Sequence, residues 1–211
     1  MGSIRNTDTP AGKCHVAGRK QFDMDTALDA AMIQFWRAGY ADTSVDDLSR
    51  ATGLNRSSIY SSLGDKDTLF LRCLDRYAVR YGGKYEAALS CAASEPLAAV
   101  RAFFDVTLER IADPELPDGC LIAQSAMAIP VLSPAVAAQT RQALGFQRLR
   151  LRAALKAGRM TDQDAEAFAV HAAAVNQSLA VMSRAGTSPA QLMAVVDVTV
   201  DALSQALRAC N

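Results

Sequence analysis

Three glycines, Gly39, Gly53 and Gly64, each close a short run of residues in which apolar side chains recur at spacings of three and four. That periodicity predicts helices, and glycine is the residue that most readily takes the left-handed turn at a helix end. The first helix is expected over residues 23–38, with Leu28, Ala31 and Phe35 on one face and Asp23 and Asp25 near its positive end. Ser44 followed three places later by Asp47 is a capping-box signature, opening a second helix that turns Val45 and Leu48 inward. Asn55 is placed to cap a third, which buries Ile59 and Leu63 and stops at Gly64. Helices this short are marginal alone, so the three must pack on one another as a tripod.

The third helix turns outward Arg56, Ser57, Ser58, Ser61 and Ser62. Serine is a poor helix former and gains little from burial, so four of them on one helix call for a reason other than stability. Small hydroxyl side chains let a helix axis sit deep in a major groove and bond to base edges or phosphate oxygens. Arg56, near the helix start, is the candidate for a two-pronged guanine contact. For any single serine an ordinary solvated face is the alternative. Arg19 and Lys20 lie just ahead of the expected first helix, where basic arms reach an adjacent minor groove or backbone. The grammar from Thr43 to Lys66 is that of a helix-turn-helix.

The chain has 211 residues, equal numbers of basic and acidic side chains and a pI near 6.7. It therefore has no global basic field, and any contact with nucleic acid rests on local charge and helix N-termini. Five cysteines, without a Cys-x-x-Cys pair, speak against a disulfide framework or a zinc module, and a reducing cytoplasm is expected. Residues 1–20 lack an apolar run and are expected to form a disordered arm tipped with Arg19 and Lys20. The stretch from Gly119 to Thr140 carries no charge, but Pro130, Pro134, Gln124 and Gln139 interrupt it. It is expected as two buried helical pieces rather than a membrane span.

Residues 22–72 resemble the TetR family of bacterial transcriptional regulators. The resemblance is carried by Ala31 to Phe35, Gly39-Tyr40, Thr43-Ser44, Ala51-Thr52-Gly53, Tyr60 and Gly64-Asp65-Lys66, in that order and spacing. Leu63 departs from it, where the family usually has phenylalanine, and Ser62 replaces a larger side chain. The resemblance implies that Thr43 and Ser44 cap the second helix and touch the phosphate backbone. It further implies that Tyr60 gives its hydroxyl to a phosphate while its ring closes the small core, and that Lys66 meets a phosphate as a point charge.

Beyond residue 66 the pattern stays helical to the end. A long fourth helix is expected to loosen at Gly82-Gly83. Ser94-Glu95-Pro96, Ser133-Pro134, Thr161 with Asp164 and Ser188-Pro189 are start signals for later helices, with a further one near residues 120–128. The expected fold is all-α with about nine helices: a helix-turn-helix unit over residues 21–66 and a helical effector-binding and dimerisation domain over 67–211. The last two helices are apolar on more than one face and need two partners. The resemblance implies a four-helix contact between two copies, with Ala173, Gln177, Ala180, Val195, Val198 and Leu203 as candidates. It also implies an effector pocket, for which Phe103, Phe104, Cys120, Gln124, Met127, Phe146, His171 and Asn176 are the candidates. Gly119-Cys120-Leu121 resembles a motif of a subgroup whose members include sensors of electrophiles or oxidants.

The sequence carries no His-Glu-x-x-His, no Glu-x-x-His pair, no phosphate-cradling glycine loop and no Gly-x-Ser-x-Gly elbow. Neither enzymatic activity, a metal nor a cofactor is expected. The expected partners are double-stranded DNA with a palindromic operator, a second copy of the chain, and an unidentified small-molecule effector, with no membrane. The alternative is a helical protein-interaction scaffold that does not read DNA sequence.

Overall fold

The computed structural model describes residues 16–158 and 160–209, with side chains from 24 to 158 and 160 to 208. These residues form nine α-helices and no strand: α1 (Val16–Ala38), α2 (Val45–Thr52), α3 (Arg56–Ser62), α4 (Lys66–Leu89), α5 (Pro96–Ala112), α6 (Leu121–Met127), α7 (Pro134–Ala157), α8 (Asp162–Arg184) and α9 (Pro189–Ala209). A single 3-10 turn, Ile129–Val131, joins α6 to α7.

Helix α1 begins at Val16, seven places before the expected Asp23. Asp25, one of the two acids taken for a first turn, serves elsewhere, and the side chain of Asp23 lies outside the described residues. Asp25 and Asp29 reach across to Arg76 of α4, Asp29 accepting from its Nε at 2.6 Å and Nη2 at 2.8 Å, and Arg80 joins the same carboxylate at 2.6 Å. Arg19 and Lys20 therefore lie on the opening turns of α1 rather than in an arm ahead of it, and their side chains fall outside the described residues. Residues 1–15 of the arm expected over 1–20 lie outside them as well.

Helix α4 runs unbroken through Gly82 and Gly83. Gly82 is buried, and a Cβ there would stand 3.1 Å from Nη2 of Arg150 on α7. The missing side chain lets that guanidinium lie across α4, where it donates to Glu86 at 2.9 and 3.1 Å. The glycine thus serves a close approach between helices, not a hinge.

Helix α1 packs on α2 and α4, α4 on α5 and α7, and α8 on α7 and α9, with α9 also against α5. Phe35 meets Phe70 edge-on at 4.7 Å and Trp36 meets Tyr77 at 5.1 Å, both rings of α1 lying against α4. One core cluster consequently runs from Leu48, Ile59 and Leu63 of the tripod through this aromatic seam to Phe103 and Leu151 of the body. Such a close-packed seam transmits displacement rather than absorbing it. Among the described residues, the stretch Pro189–Arg208 of α9 is long and apolar enough to cross a membrane by length and composition. Its buried residues Leu192, Val196 and Leu203 fall on the face packed into the protomer.

Candidate nucleic-acid interface and the cavities behind it

The turn between α2 and α3 is tied before α3 begins. Gly53 takes φ +69°, Ser49 Oγ donates to the Leu54 carbonyl at 2.5 Å, and the Leu54 N–H donates to Thr52 Oγ1 at 3.2 Å. At the start of α2, the Asp47 N–H donates to Ser44 Oγ at 3.1 Å and the Ser44 N–H returns to the Asp47 carboxylate at 2.8 Å. Asn55 then caps α3 by accepting from the Ser58 N–H at 2.8 Å. At the far end, Arg72 of α4 donates to the Ser62 carbonyl at 3.1 Å, placing a cation at the negative end of α3. The sequence reading missed Arg72, because a contact between consecutive helices leaves no local spacing signal.

Held in this way, α3 buries only Ile59 within its span, and Leu63 just beyond it. Arg56, Ser57, Tyr60, Ser61 and Ser62 are exposed, and Ser58 is half-buried. An exposed seven-residue helix with four hydroxyl-bearing serines, an arginine and a tyrosine is a surface of donors and acceptors with almost no apolar patch.

Several expectations need correction. Thr43 is fully buried, and its hydroxyl donates to the Gly39 carbonyl at 2.6 Å, so it ties the α1–α2 corner and has no free hydroxyl for a phosphate. Tyr60 is 53% exposed, so its ring does not close the small core. Tyr40 does so instead, packed against Phe70 at 5.0 Å with its hydroxyl donated to Asp67. Burial, reinforced by that carboxylate, pushes the Tyr40 hydroxyl up to about 12. Lys66 lies with Nζ 4.4 Å from the Tyr40 ring centre, and burial holds its ammonium below the usual lysine range. Arg56 is not free: Nε donates to Asp46 Oδ1 at 2.6 Å in a two-pronged pair with α2, which also holds the Asp46 carboxyl below its ordinary range.

Among the described residues, the body behind this unit includes the following hollows. One, of about 490 Å³, lies between α4 and α7 and includes Tyr77, Tyr85, Phe146, Asp75 and Glu86. A second, of about 480 Å³, is walled by α6 and α8, with Cys120, Ala123, Gln124, Met127, Val181 and Arg184. A third, of about 400 Å³, is an outer cleft carrying Arg80, Lys84, Arg110, Glu109 and Asp113. Of the expected pocket residues, Cys120, Gln124 and Met127 meet in the second hollow and Phe146 borders the first. Phe103 and Phe104 line none of them. They are fully buried, packed edge-on at 5.5 Å, and belong to the core. His171 is exposed on α8 with its ring 5.7 Å from Phe168. Asn176 is buried between Thr107 Oγ1 at 2.7 Å and Gln147 Oε1 at 3.2 Å, a satisfied polar link among α5, α7 and α8.

The proposed contact residues between copies also divide. Ala173, Ala180 and Leu203 are buried inside the protomer, and Val195 and Gln177 are half-buried. Val198 is 71% exposed, and Val170, Val181 and Met193 on α8 and α9 are exposed too. The alanine-rich periodicity identified the helices but not which stripe faces inward.

A further link joins body and tripod. Arg184, at the end of α8, donates to the carbonyls of Trp36 at 3.4 Å and Arg37 at 3.0 Å in the last turn of α1, and to Gln124 Oε1 of α6 at 3.2 Å. It also walls the second hollow.

Comparison with known proteins bears on both halves. Residues 27–73 match the family model described as bacterial regulatory proteins, tetR family, and residues 96–208 match that of the tetracyclin repressor-like C-terminal domain. The HTH-type transcriptional repressor ComR of Escherichia coli (strain K12) is 38% identical over 103 residues, 49% of this chain and 49% of its own length. The uncharacterised HTH-type transcriptional regulator YezE of Bacillus subtilis (strain 168) is 33% identical over 110 residues, 51% of this chain and 55% of its own. The chain thus spans about half the length of the curated relatives it matches. A cysteine-substituted form of the TetR family regulator CifR, solved with 26-bp double-strand operator DNA, superposes with a TM-score of 0.71 at 28% identity. That superposition covers 84% of this chain and 95% of the other. The TetR family regulator from Agrobacterium tumefaciens gives 0.74 at 26% identity, covering 86% and 97%.

Proposed function

The chain belongs to the TetR family of bacterial regulatory proteins, and from that premise we propose that it is a DNA-binding transcriptional repressor that grips a palindromic operator as a homodimer and lets go when an effector enters its body. The observation that carries this reading is α3: a short helix anchored at both ends, buried along one stripe, and presenting Arg56, Tyr60 and exposed serines to solvent. The complex of CifR with operator DNA supports it by likeness.

One tripod reads only half a site, so a two-fold assembly and a two-fold operator belong together. The exposed apolar side chains Val170, Val181, Met193 and Val198 on α8 and α9 supply the surface for a second copy, which also accounts for the apolar outer face of α9. Release works through Arg184. An effector in the hollow between α6 and α8 competes with its bonds to Gln124 and to the end of α1, and shifts the tripod relative to the body. A small molecule, or an electrophile at Cys120, fits this scheme. The reading gives the chain no catalytic role and places it in the cytoplasm, at the nucleoid when bound.

The test is selection of bound sequences from a random duplex pool, followed by anisotropy titrations at rising salt. A repressor enriches a two-fold sequence and loses affinity steeply with salt as phosphate contacts release counterions. No enrichment, or binding indifferent to salt, returns the chain to the scaffold alternative.

A further inference from the structure

Arg110 of α5 is 5% exposed, and among the described residues no carboxylate pairs with it. One of its terminal nitrogens donates to the Gly119 carbonyl, and its guanidinium carbon lies 5.5 Å from the Trp36 ring centre and 5.7 Å from that of Tyr81. Its Nε has no acceptor, and neither does the Nε1 of Trp36 in the same cluster. A buried cation is stable when an anion and a full set of acceptors surround it, and one carbonyl with two ring faces falls short of that. The cluster has donors and positive charge in excess.

Arg110 borders a small pocket with Cys120, Ala123, Leu144, Gln147 and Asn176. That pocket shares Cys120 and Ala123 with the 480 Å³ hollow between α6 and α8. The remaining walls there are Ala, Val and Met, Gly119 and Gln124, and the one charged side chain is Arg184. Of the other two hollows, one sets two carboxylates, Asp75 and Glu86, against the single cation Arg150, and the other, which Arg110 also lines beside Arg80, Lys84, Glu109 and Asp113, offers only Tyr81 and Leu116 as apolar wall for a tail. We propose that the effector is a small apolar carboxylate, its acid group seated on Arg110 beside Cys120 and its apolar tail running past Ala123 and Met127 toward Val181 and Arg184. This deepens the repressor reading and rests on it for the consequence of binding, though not for the binding itself. Arg110 fixes the charge class of the ligand, and the tail reaches the residue that holds the end of α1.

The test uses the full chain without DNA and compares octanoate with its uncharged counterpart octanamide by titration calorimetry. Octanoate binds and octanamide binds about tenfold or more weakly, the loss expected when a charge-assisted hydrogen bond is replaced by a neutral one. Arg110→Gln brings octanoate down to the octanamide level, while Arg110→Lys retains a preference for the acid. If Arg110→Gln does not fold, the acid and amide pair on the wild-type protein and on Arg110→Lys still decides. Equal binding of acid and amide, acid binding unchanged by Arg110→Gln, or no binding of octanoate each overturns the proposal. Inorganic phosphate binding as tightly as octanoate does so too, because it has no tail for the hollow. Operator binding is measured separately on ligand-free protein, so its failure sinks the repressor reading and leaves the acid preference standing on its own result.

Discussion

Arg56 and Asp46 face each other as a two-pronged ion pair across the corner between α2 and α3, with Nε 2.6 Å from Oδ1. Both side chains are largely exposed, so the pair is weak enough to be surrendered to a better partner. A guanine edge offers Arg56 the same two-pronged geometry. Arg56→Ala is therefore expected to weaken operator binding roughly ten- to a hundredfold while leaving the melting temperature and the dimer nearly unchanged. Dissociation into monomers would contradict this division of labour.

Asp46→Asn removes a carboxylate that competes for Arg56 and repels phosphate. Tighter binding to duplexes of any sequence is the expected result, with a salt slope steeper by about one. Weakened operator binding instead would identify Asp46 as a reader of cytosine amino groups, a role this account does not give it.

Thr43→Val tests whether the buried threonine is structural. Its hydroxyl bond to the Gly39 carbonyl is lost, and denaturant melts should show a stability loss of about 1 kcal/mol. Operator affinity of the folded protein stays within about twofold, a shift of only a few tenths of a kcal/mol. A large affinity loss without a stability change reverses the assignment.

Gly64 takes φ +91°, and a Cβ there would stand 2.7 Å from Thr68 Cγ2 and 2.8 Å from Thr68 Cβ. Gly64→Ala should lower stability by about 2 kcal/mol, combining left-handed strain with a steric clash. Adding Thr68→Ala should restore only part of the loss, since the backbone conformation remains wrong for alanine. Full recovery in the double variant shows that φ contributes nothing.

The Tyr40 hydroxyl gives a pH signature. Its folded value of about 12 lies above the ordinary tyrosine value of 10.0, so the unfolded chain gives up this proton first as pH rises. Its contribution is present in full below pH 10.0 and is lost as the pH climbs toward about 12. Urea melts across that window should show falling stability, with a shallower fall in Tyr40→Phe. Identical slopes in the two proteins would remove Tyr40 from the explanation.

Much of the tripod was legible because its signals are local. Ser44 with Asp47, Asn55 before Arg56, and glycine after each helix act within a few residues of one another, where sequence spacing and spatial distance agree. Starts at Pro96, Pro134 and Pro189 were legible for the same reason. The misreadings came from partners remote in sequence. Asp25 looks like an N-terminal acid until Arg76 is placed against it, and Gly82 looks like a weak point until Arg150 crosses it. The exchanged roles of Tyr40 and Tyr60 depend on how α1, α3 and α4 meet. Arg110 gives no sequence hint at all, since only burial makes an unpaired arginine informative.

The central claim is that two copies of α3 enter neighbouring major grooves of one duplex. Hydroxyl-radical footprinting on the selected operator tests it most directly, with wild-type and Arg56→Ala protein side by side. Two symmetric protected patches about one helical turn (~34 Å) or a multiple apart, both fading in the variant, are predicted. A single asymmetric patch, or a symmetric footprint indifferent to Arg56, would contradict it.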